Sequence, residues 1–213
     1  MLSLFCCIST KFFLITYQSF LFFFSERVYE DHEPLVDNLM MWTRDSKNKI
    51  LFQERNDKYQ LFLSPETFLL SSSDLICDYD DHSRSMLLEE FFSASSNSTP
   101  ELSGPLYLKS DSKKGWKKFH FVLRASGLYY YPKEKSKSSR DLVCLTSFDI
   151  NEVYYGVGWR KKYKSPTDHC FAIKHPRLQQ PKSTKYIKYL CAEDNITLQK
   201  WVVGIRIAKV GNS

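Results

Sequence analysis

Lysine side chains cluster where two β-forming segments of the chain meet. Lys109 ends the first segment and Lys117 begins the second, and Lys113 and Lys114 lie in the connection between them. Ammonium groups on neighbouring strands joined by a short loop can converge on a rigid, multiply charged anion such as an inositol bisphosphate headgroup. These four lysines, called the lysine corner below, are therefore predicted to bind a phosphorylated anion or an anionic surface.

A second basic cluster contains Trp159, Arg160, Lys161 and Lys162, in a segment expected to be the loop Gly156–Ser165. A tryptophan beside several cations suits contact with a membrane or with an acidic protein. We expect Trp159 to be exposed and the cluster to form a second basic contact. The alternative is a loop that only keeps the protein soluble.

The charges are divided unevenly between the two halves of the chain. Residues 1–100 carry 8 basic and 15 acidic side chains, a net charge of −7, whereas residues 101–213 carry 22 and 9, a net charge of +13. Excess positive charge attracts acidic partners such as membranes, nucleic acids or acidic proteins. The second half is therefore the half expected to bind such a partner.

Seven short segments rich in β-branched and aromatic residues are expected to form the strands that carry these cations. They are Gly104–Lys109, Trp116–Arg124, Leu128–Tyr131, Leu142–Phe148, Val153–Tyr155, His169–Lys174 and Tyr186–Cys191. One helix follows, capped by Asp194 or Asn195 and ending near Lys209. Its apolar residues recur at helical spacing and predict one buried stripe, formed by Leu198, Trp201, Val202, Ile205 and Ala208.

The first 25 residues are apolar and rich in phenylalanine. Lys11 and Gln18 interrupt them, so the uninterrupted apolar pieces are shorter than the ~20 residues that a membrane helix needs. The composition then changes abruptly at Glu26. We expect residues 1–25 to be a gene-model artefact, such as a translated intron end, or a leader.

Residues 26–70 have the composition of ordinary globular protein, and residues 71–100 do not. The former are expected to form a strand at Arg27–Tyr29, a helix that begins near Pro34, and strands at Lys49–Gln53 and Lys58–Leu63. The latter are rich in serine and acidic residues, which predicts a flexible linker with a short amphipathic segment at Met86–Phe92.

The six cysteines form no C-x-x-C pair and show no spacing typical of a disulfide framework. We expect reduced, mostly buried thiols in a cytoplasmic protein. Cys170 follows His169 directly, and neighbouring residues of a strand point to opposite faces, so this pair is not expected to share a metal or a reaction.

Seven strands followed by one amphipathic helix with a central tryptophan resemble a pleckstrin-homology (PH) domain. Four phrases are similar to the PH domain of the lamellipodin and RIAM adaptor family, namely Phe121–Tyr130, Tyr163–Phe171, Tyr186–Cys191 and Trp201–Lys209. Three earlier phrases resemble the C-terminal part of the Ras-association (RA) domain of that family, namely Tyr29–Glu33, Trp42–Asp45 and Asn48–Phe52. The resemblance covers roughly residues 26–210, in the order in which the family has them.

This resemblance implies a mainly β (α+β) fold. Residues 101–210 are expected to form a seven-stranded orthogonal β-sandwich or barrel of PH type, capped by the C-terminal helix. Residues 26–70 are expected to form a partial, ubiquitin-like RA segment that packs on the PH domain, and residues 71–100 are the linker between them.

The resemblance also extends the candidate lipid-binding set. Tyr130 and Arg140 lie where phosphoinositide-binding PH domains often place ligand residues, with Lys133, Lys135 and Lys137 at the rim. The PH pattern has a second basic residue two positions after Lys117, but this chain has Phe119 there. Alternation in a strand places Lys118 on the opposite face, so Lys118 does not replace it. The membrane contact is therefore expected to be weaker and less selective than the family pattern implies.

The resemblance implies an adaptor in the cytoplasm, peripheral at the plasma membrane and the leading edge. We expect no enzymatic activity, cofactor or metal, because the sequence contains no G-x-S-x-G, H-E-x-x-H or P-loop motif. In the intact family a Ras-like GTPase pairs with the leading RA strands, and proline-rich regions bind actin regulators. Neither the leading strands upstream of Glu26 nor those regions are recognised in this sequence. It is therefore expected to be a fragment that does not bind a GTPase through that face.

The lysine corner and the second basic contact have two alternative functions. They could dock an acidic protein, or they could bind a single-stranded nucleic acid, because Tyr129, Tyr130, Tyr131 and Trp159 interleave with the cations. Nucleic acid is the less expected partner, since the cations concentrate in loops at one end of a PH pattern.

Overall fold

The computed structural model describes residues 13–18, 24–46, 48–53, 55–70, 78–93, 99–110, 115–133, 138–178 and 186–210. Ten strands in these ranges form one sheet in which every neighbouring pair is antiparallel. They are β1 Phe13–Gln18, β2 Phe24–Val28, β3 Asn48–Gln53, β4 Ser103–Lys109, β5 Trp116–Arg124, β6 Gly127–Tyr131, β7 Val143–Ser147, β8 Glu152–Val157, β9 Cys170–Lys174 and β10 Lys188–Cys191. Their order across the sheet is β3-β1-β2-β8-β9-β10-β4-β5-β6-β7.

The helices lie mostly outside the strand-rich part of the chain. They are α1 Leu35–Met40, α2 Gln60–Leu63, α3 Pro65–Leu69, α4 Asp81–Ser93, α5 Trp159–Tyr163 and α6 Asn195–Val210. Two short 3₁₀ turns, Asn56–Tyr59 and Ser139–Asp141, complete the described elements. All seven strands predicted after residue 100 are present as β4 to β10, and the predicted C-terminal helix is α6.

Helix α6 covers the sheet with the stripe that its sequence predicts. Leu198, Trp201, Val202, Ile205 and Ala208 are all buried. They join strand residues such as Leu106, Phe121 and Phe171 in the main hydrophobic core. The side chain of Asp194 accepts a hydrogen bond of 2.7 Å from the backbone N–H of Thr197, so Asp194, rather than Asn195, is the N-cap.

A second, smaller core lies on the opposite face of β9 and β10. Trp159, Cys170, Ala172, Ile187, Tyr189 and Cys191 form it. Strand β9 is consequently buried on both faces, because Phe171 and Ile173 enter the main core while Cys170 and Ala172 enter the second one. The middle of the sheet therefore has a cover on each side.

The segment before residue 70 differs from its prediction in two places. Strand β1 lies within residues 1–25, for which no strand was predicted, and it pairs with both β2 and β3. Lys58–Leu63, predicted as a strand from its alternation, is instead the end of a 3₁₀ turn followed by α2. The guanidinium of Arg55 binds Asp57 at 2.6 and 2.7 Å and closes this turn, and Pro65 begins the next helix.

The predicted flexible linker contains a helix longer than the short segment expected at Met86–Phe92. Helix α4 begins at Asp81, where the side chain of Asp80 accepts a hydrogen bond of 2.8 Å from the N–H of Ser83. The Phe92 ring stacks on Phe62 with 6.3 Å between centroids. The helix therefore packs against the preceding segment, because its aromatic end finds an apolar neighbour there.

The amino-terminal segment continues the sheet of the following domain, because β2 pairs with β8 through Phe24–Val157, Ser25–Gly156 and Glu26–Tyr155. Charged pairs support the same junction. The Arg27 guanidinium is buried and lies 3.2 Å from Glu152 of β8, and it also pairs with Glu33. The expected packing of this segment on the PH-like domain is thus observed.

Candidate functional site

The register of β4 and β5 places the described part of the lysine corner at one end of the sheet. Leu108 lies opposite Lys117, and Lys109 lies opposite Trp116. Lys109 and Lys117 are therefore on adjacent strands and at the same end of this pair. Lys113 and Lys114, also predicted for this corner, lie outside the described residues.

Two further strands bring cations to the same end. Strand β6 runs back along β5, with Tyr131 opposite His120, so Lys133 follows it toward that end. Arg140 precedes β7, whose Val143 pairs with Tyr130. The described cations Lys109, Lys117, Lys133 and Arg140 are called the basic end below. Lys135 and Lys137, predicted for the rim, lie outside the described residues.

The cations of the basic end differ from other surface cations of the described ranges in their ion pairing. No carboxylate there forms an ion pair with any of the four. Lys118, by contrast, binds Glu193 at 2.5 Å, and Arg160 lies 3.6 Å from Asp168. Lys117, Lys133 and Arg140 are also exposed. This end of the sheet thus presents positive charge that the described part of the chain does not neutralise.

Phe119 occupies the face of β5 on which Lys117 lies. Its ring meets Tyr130 edge-on, with 5.2 Å between centroids, and it packs against the main core. Lys118 points to the other face, where its ammonium lies 5.7 Å from the Tyr107 ring centroid. The predicted alternation is therefore present, and Lys118 does not substitute for a cation at position 119.

Tyr130 is a predicted ligand residue that the structure places between the site and the core. Its ring stacks on Phe121 at 5.6 Å and meets Phe119 at 5.2 Å. The side chain is half-buried rather than fully exposed. Its aromatic neighbours fix the ring, so its hydroxyl has a defined position relative to the basic end.

The expectation that Trp159 is exposed is wrong, because only 2% of its surface is accessible. The predicted loop folds into α5, which begins after Gly158 in a left-handed conformation (φ 71°). The indole lies flat over Gly156, where a β-carbon would come within 2.4 Å of the ring, and it packs against Tyr189 with 5.1 Å between centroids. Trp159 therefore anchors α5 and does not reach a membrane.

The cations of the second basic contact remain on the surface. Arg160, Lys161 and Lys162 are exposed on α5, and Lys162 lies 4.9 Å from the ring centroid of Tyr163. Sequence reasoning missed the residue that joins the two basic regions. The indole N–H of Trp116, next to Lys117, donates a hydrogen bond of 2.9 Å to the carbonyl of Tyr163, 47 positions later. No pattern in the sequence around Trp116 or Tyr163 indicates a contact between segments so far apart.

No helix within the described ranges is both long enough and apolar enough to cross a membrane.

Comparison with known proteins gives the same domain type over the second half of the chain. The family model described as "PH domain" matches residues 100–210. The crystal structure of "the coiled-coil, RA and PH domains of Lamellipodin" superposes with a TM-score of 0.82 at 49% sequence identity, covering 96% of this chain and 73% of that one.

Two relatives are similar along most of the chain. The human "Ras-associated and pleckstrin homology domains-containing protein 1" is 54% identical over 186 residues, which is 87% of this chain and 15% of that protein. The chicken "Amyloid beta A4 precursor protein-binding family B member 1-interacting protein" is 53% identical over 190 residues, which is 88% of this chain and 39% of that protein. The chain thus spans well under half the length of either relative.

Proposed function

The chain belongs to the lamellipodin and RIAM family of adaptor proteins, with the C-terminal part of an RA domain and a PH domain, and on this basis we propose that it is a non-enzymatic adaptor segment that contacts anionic membranes. The contact is made by the basic end of the sheet, together with Lys113, Lys114, Lys137 and Tyr130. The preferred lipids are phosphoinositides within an acidic bilayer.

One observation carries this proposal. Lys109, Lys117, Lys133 and Arg140 come from four different strands or their connections, converge at one end of the sheet, and have no ion-pair partner among the described residues. Other cations of the described ranges pair with carboxylates, as Lys118 does with Glu193 and Arg206 does with Glu30. Unneutralised cations on a rigid scaffold are instead suited to an external anion.

The expected affinity is modest. A lysine near an anionic surface contributes about 1 kcal/mol, and the attraction falls off within a Debye length, so binding weakens as salt is added. Phe119 has an apolar ring at the position where a second basic residue would bind the phosphates of the headgroup. Recognition of charge density is therefore expected to dominate over recognition of one phosphoinositide isomer.

Helix α5 provides a second basic surface for the same membrane. Its exposed Arg160, Lys161 and Lys162 are held through Trp116, which links Tyr163 to the start of β5. Because Trp159 is buried, this surface acts by charge and not by inserting a tryptophan.

In the cell, we place the protein in the cytoplasm and peripherally at the plasma membrane and leading edge. Family membership favours a role that links small-GTPase signals to actin and adhesion machinery through regions outside this chain. In a protein that binds both a GTPase and the membrane, each of these two weak contacts would raise the effective concentration of the other. A Ras-like GTPase is proposed as a partner of longer family members.

Liposome flotation tests the proposal. Vesicles containing phosphatidylinositol bisphosphate should retain the chain at physiological salt, and neutral phosphatidylcholine vesicles should not. Vesicles of phosphatidylserine matched in total charge measure the selectivity, which we expect to be small.

Two charge reversals on the same strand provide the matched comparison. Lys117→Glu places a negative charge at the basic end and should weaken binding by about 2 kcal/mol, the contribution of roughly two charges. Arg124→Glu changes the opposite end of β5 and should leave binding unaltered. Absence of binding to either acidic vesicle, or equal losses for the two variants, would contradict the proposal.

A further inference from the structure

Two cysteines that are 21 positions apart in the sequence lie directly opposite each other in the sheet. Cys170 of β9 is the register partner of Cys191 of β10. The same cross-strand row continues to Gly156 on one side and Tyr107 on the other. Both thiols belong to the second core, beneath Trp159, and are almost completely buried.

The backbone bonding around this pair determines how close the two residues are. The N–H of Ala192 donates a hydrogen bond of 2.8 Å to the carbonyl of His169, one position along from the cysteines on each strand. Hydrogen-bonded and non-hydrogen-bonded pairs alternate along an antiparallel ladder, so Cys170 and Cys191 form a non-hydrogen-bonded pair. Such pairs have Cα atoms about 4.5 Å apart, which lies within the range of about 4.4–6.8 Å that a disulfide spans.

The side chains also converge on one atom. The Cys170 Sγ lies 3.4 Å and the Cys191 Sγ 3.7 Å from the carbonyl oxygen of Thr167. The Thr167 hydroxyl lies 3.1 Å from the Cys191 Sγ and donates a hydrogen bond of 2.5 Å to the carbonyl of Ala192. Thr167 therefore holds both sulfurs on the same side of the strand pair.

The two thiols differ in acidity because a hydrogen bond joins them. This hydrogen bond from Cys170, aided by Thr167 and opposed by burial, lowers the pKa of Cys191. The same hydrogen bond and burial raise the pKa of Cys170. Cys191 is therefore the more acidic of the two thiols.

We propose that Cys170 and Cys191 form a redox-active dithiol that a hydroperoxide converts reversibly into a cross-strand disulfide. The Cys191 thiolate attacks the peroxide oxygen, the O–O bond breaks, and a sulfenic acid and hydroxide form. The hydroxide takes the proton of Cys170 and becomes water. The Cys170 thiolate then attacks the Cys191 sulfur, forming the S–S bond and releasing a second hydroxide.

That second hydroxide combines with the proton that Cys191 lost at the start. Overall, two thiols lose two electrons and two protons, and one molecule of hydrogen peroxide yields two molecules of water. Because the pair is covered by the second core, the reaction waits for local opening of this cover and is slow compared with that of an exposed thiol. Cys144, which is exposed, provides the internal standard for such a thiol.

Peptide mass spectrometry of the full chain tests the proposal. After treatment with hydrogen peroxide under native conditions, blocking of remaining thiols and digestion with trypsin, residues 165–174 and 189–200 should appear as one disulfide-joined species. Dithiothreitol should separate them. Cys144→Ser should still yield the joined species, whereas Cys170→Ser should not.

A second measurement does not depend on any variant folding correctly. The wild-type chain is treated with peroxide in buffer and, in parallel, in guanidinium. After an exposure much longer than the one that fully oxidises Cys144, the native sample should contain several-fold more of the joined species than the unfolded one, because the sheet aligns the sulfurs. Unmodified Cys170 and Cys191 after this longer exposure, a sulfinic acid at Cys191 with Cys170 free, or more of the joined species in guanidinium would overturn the proposal.

Discussion

Arg206 of helix α6 forms a bidentate ion pair with Glu30, which lies 176 positions earlier in the chain. The guanidinium donates hydrogen bonds of 2.5 and 2.9 Å to the two carboxylate oxygens. Burial of Glu30 raises the pKa of its carboxyl, but the hydrogen bonds and charge of Arg206 outweigh this effect, and the pKa of Glu30 is lowered. The pair therefore fastens the RA segment to the C-terminal helix of the PH domain.

Glu30→Gln should destabilise the fold, because it leaves the largely buried guanidinium of Arg206 without a counter-charge. Loss of one partner from such a pair costs about 3 kcal/mol, measured as a lower free energy of unfolding in urea at pH 7. Glu90→Gln removes a carboxylate from an exposed position of α4 and should change this free energy by less than about 0.5 kcal/mol.

The difference in free energy of unfolding between wild type and Glu30→Gln depends on pH, because the pKa of Glu30 is lowered in the folded protein. A carboxyl with a folded pKa below its unfolded value of about 4.3 stabilises the protein above that value, and the stabilisation is lost as the pH falls through the folded pKa. The gap between wild type and Glu30→Gln should therefore narrow from pH 5 to pH 3. A gap that stays constant over this range would contradict the role of the ion pair.

Gly156→Ala should destabilise the protein through a clash with Trp159. A β-carbon at this position would lie 2.4 Å from the indole ring, so the ring and helix α5 must shift. Overpacking of this kind costs about 2 kcal/mol and should lower the melting temperature. Gly104→Ala is the matched control in another strand, since a β-carbon there meets no atom within 4 Å. Equal melting temperatures for the two variants would show that Trp159 is not held against Gly156.

Lys174 is predicted to make stability rise with pH above neutrality. Its ammonium donates a hydrogen bond of 2.7 Å to the carbonyl of Leu178 and lies 4.4 Å from the centroid of the Tyr154 ring, but burial lowers the pKa of Lys174 to about 8. An unfolded lysine keeps its proton to about pH 10.4. Between these values the unfolded chain binds more protons, so the folded state gains relative stability as the pH rises.

The measurement compares wild type with Lys174→Met by urea unfolding at pH 7 and pH 9.5. The wild type should gain stability relative to the variant, because only the wild type has this buried ammonium to deprotonate. If the difference in free energy of unfolding between wild type and Lys174→Met is the same at both pH values, the ammonium of Lys174 is not buried in the folded protein.

The sequence predicts most of the PH part because its signals are local. Alternation in Trp116–Arg124 and the helical spacing of Leu198, Trp201 and Ile205 each report which face of an element is buried, and the observed strands and helix follow them. The sequence also shows that Phe119 replaces a basic residue of the PH pattern and that Lys118 lies on the other face, since side-chain direction in a strand has a period of two. Lys58–Leu63 shows the limit, because its alternation is overridden by the Arg55–Asp57 contact and by Pro65.

Contacts between distant segments were decided by the tertiary structure alone. The sequence around Trp159 shows an aromatic residue among cations, and only the packing over Gly156 reveals that it is buried. The pairing of Glu30 with Arg206 and of Cys170 with Cys191 depends on which strands and helices become neighbours. Residue type and periodicity determine which side chains leave water, whereas strand order and register determine which side chains they meet.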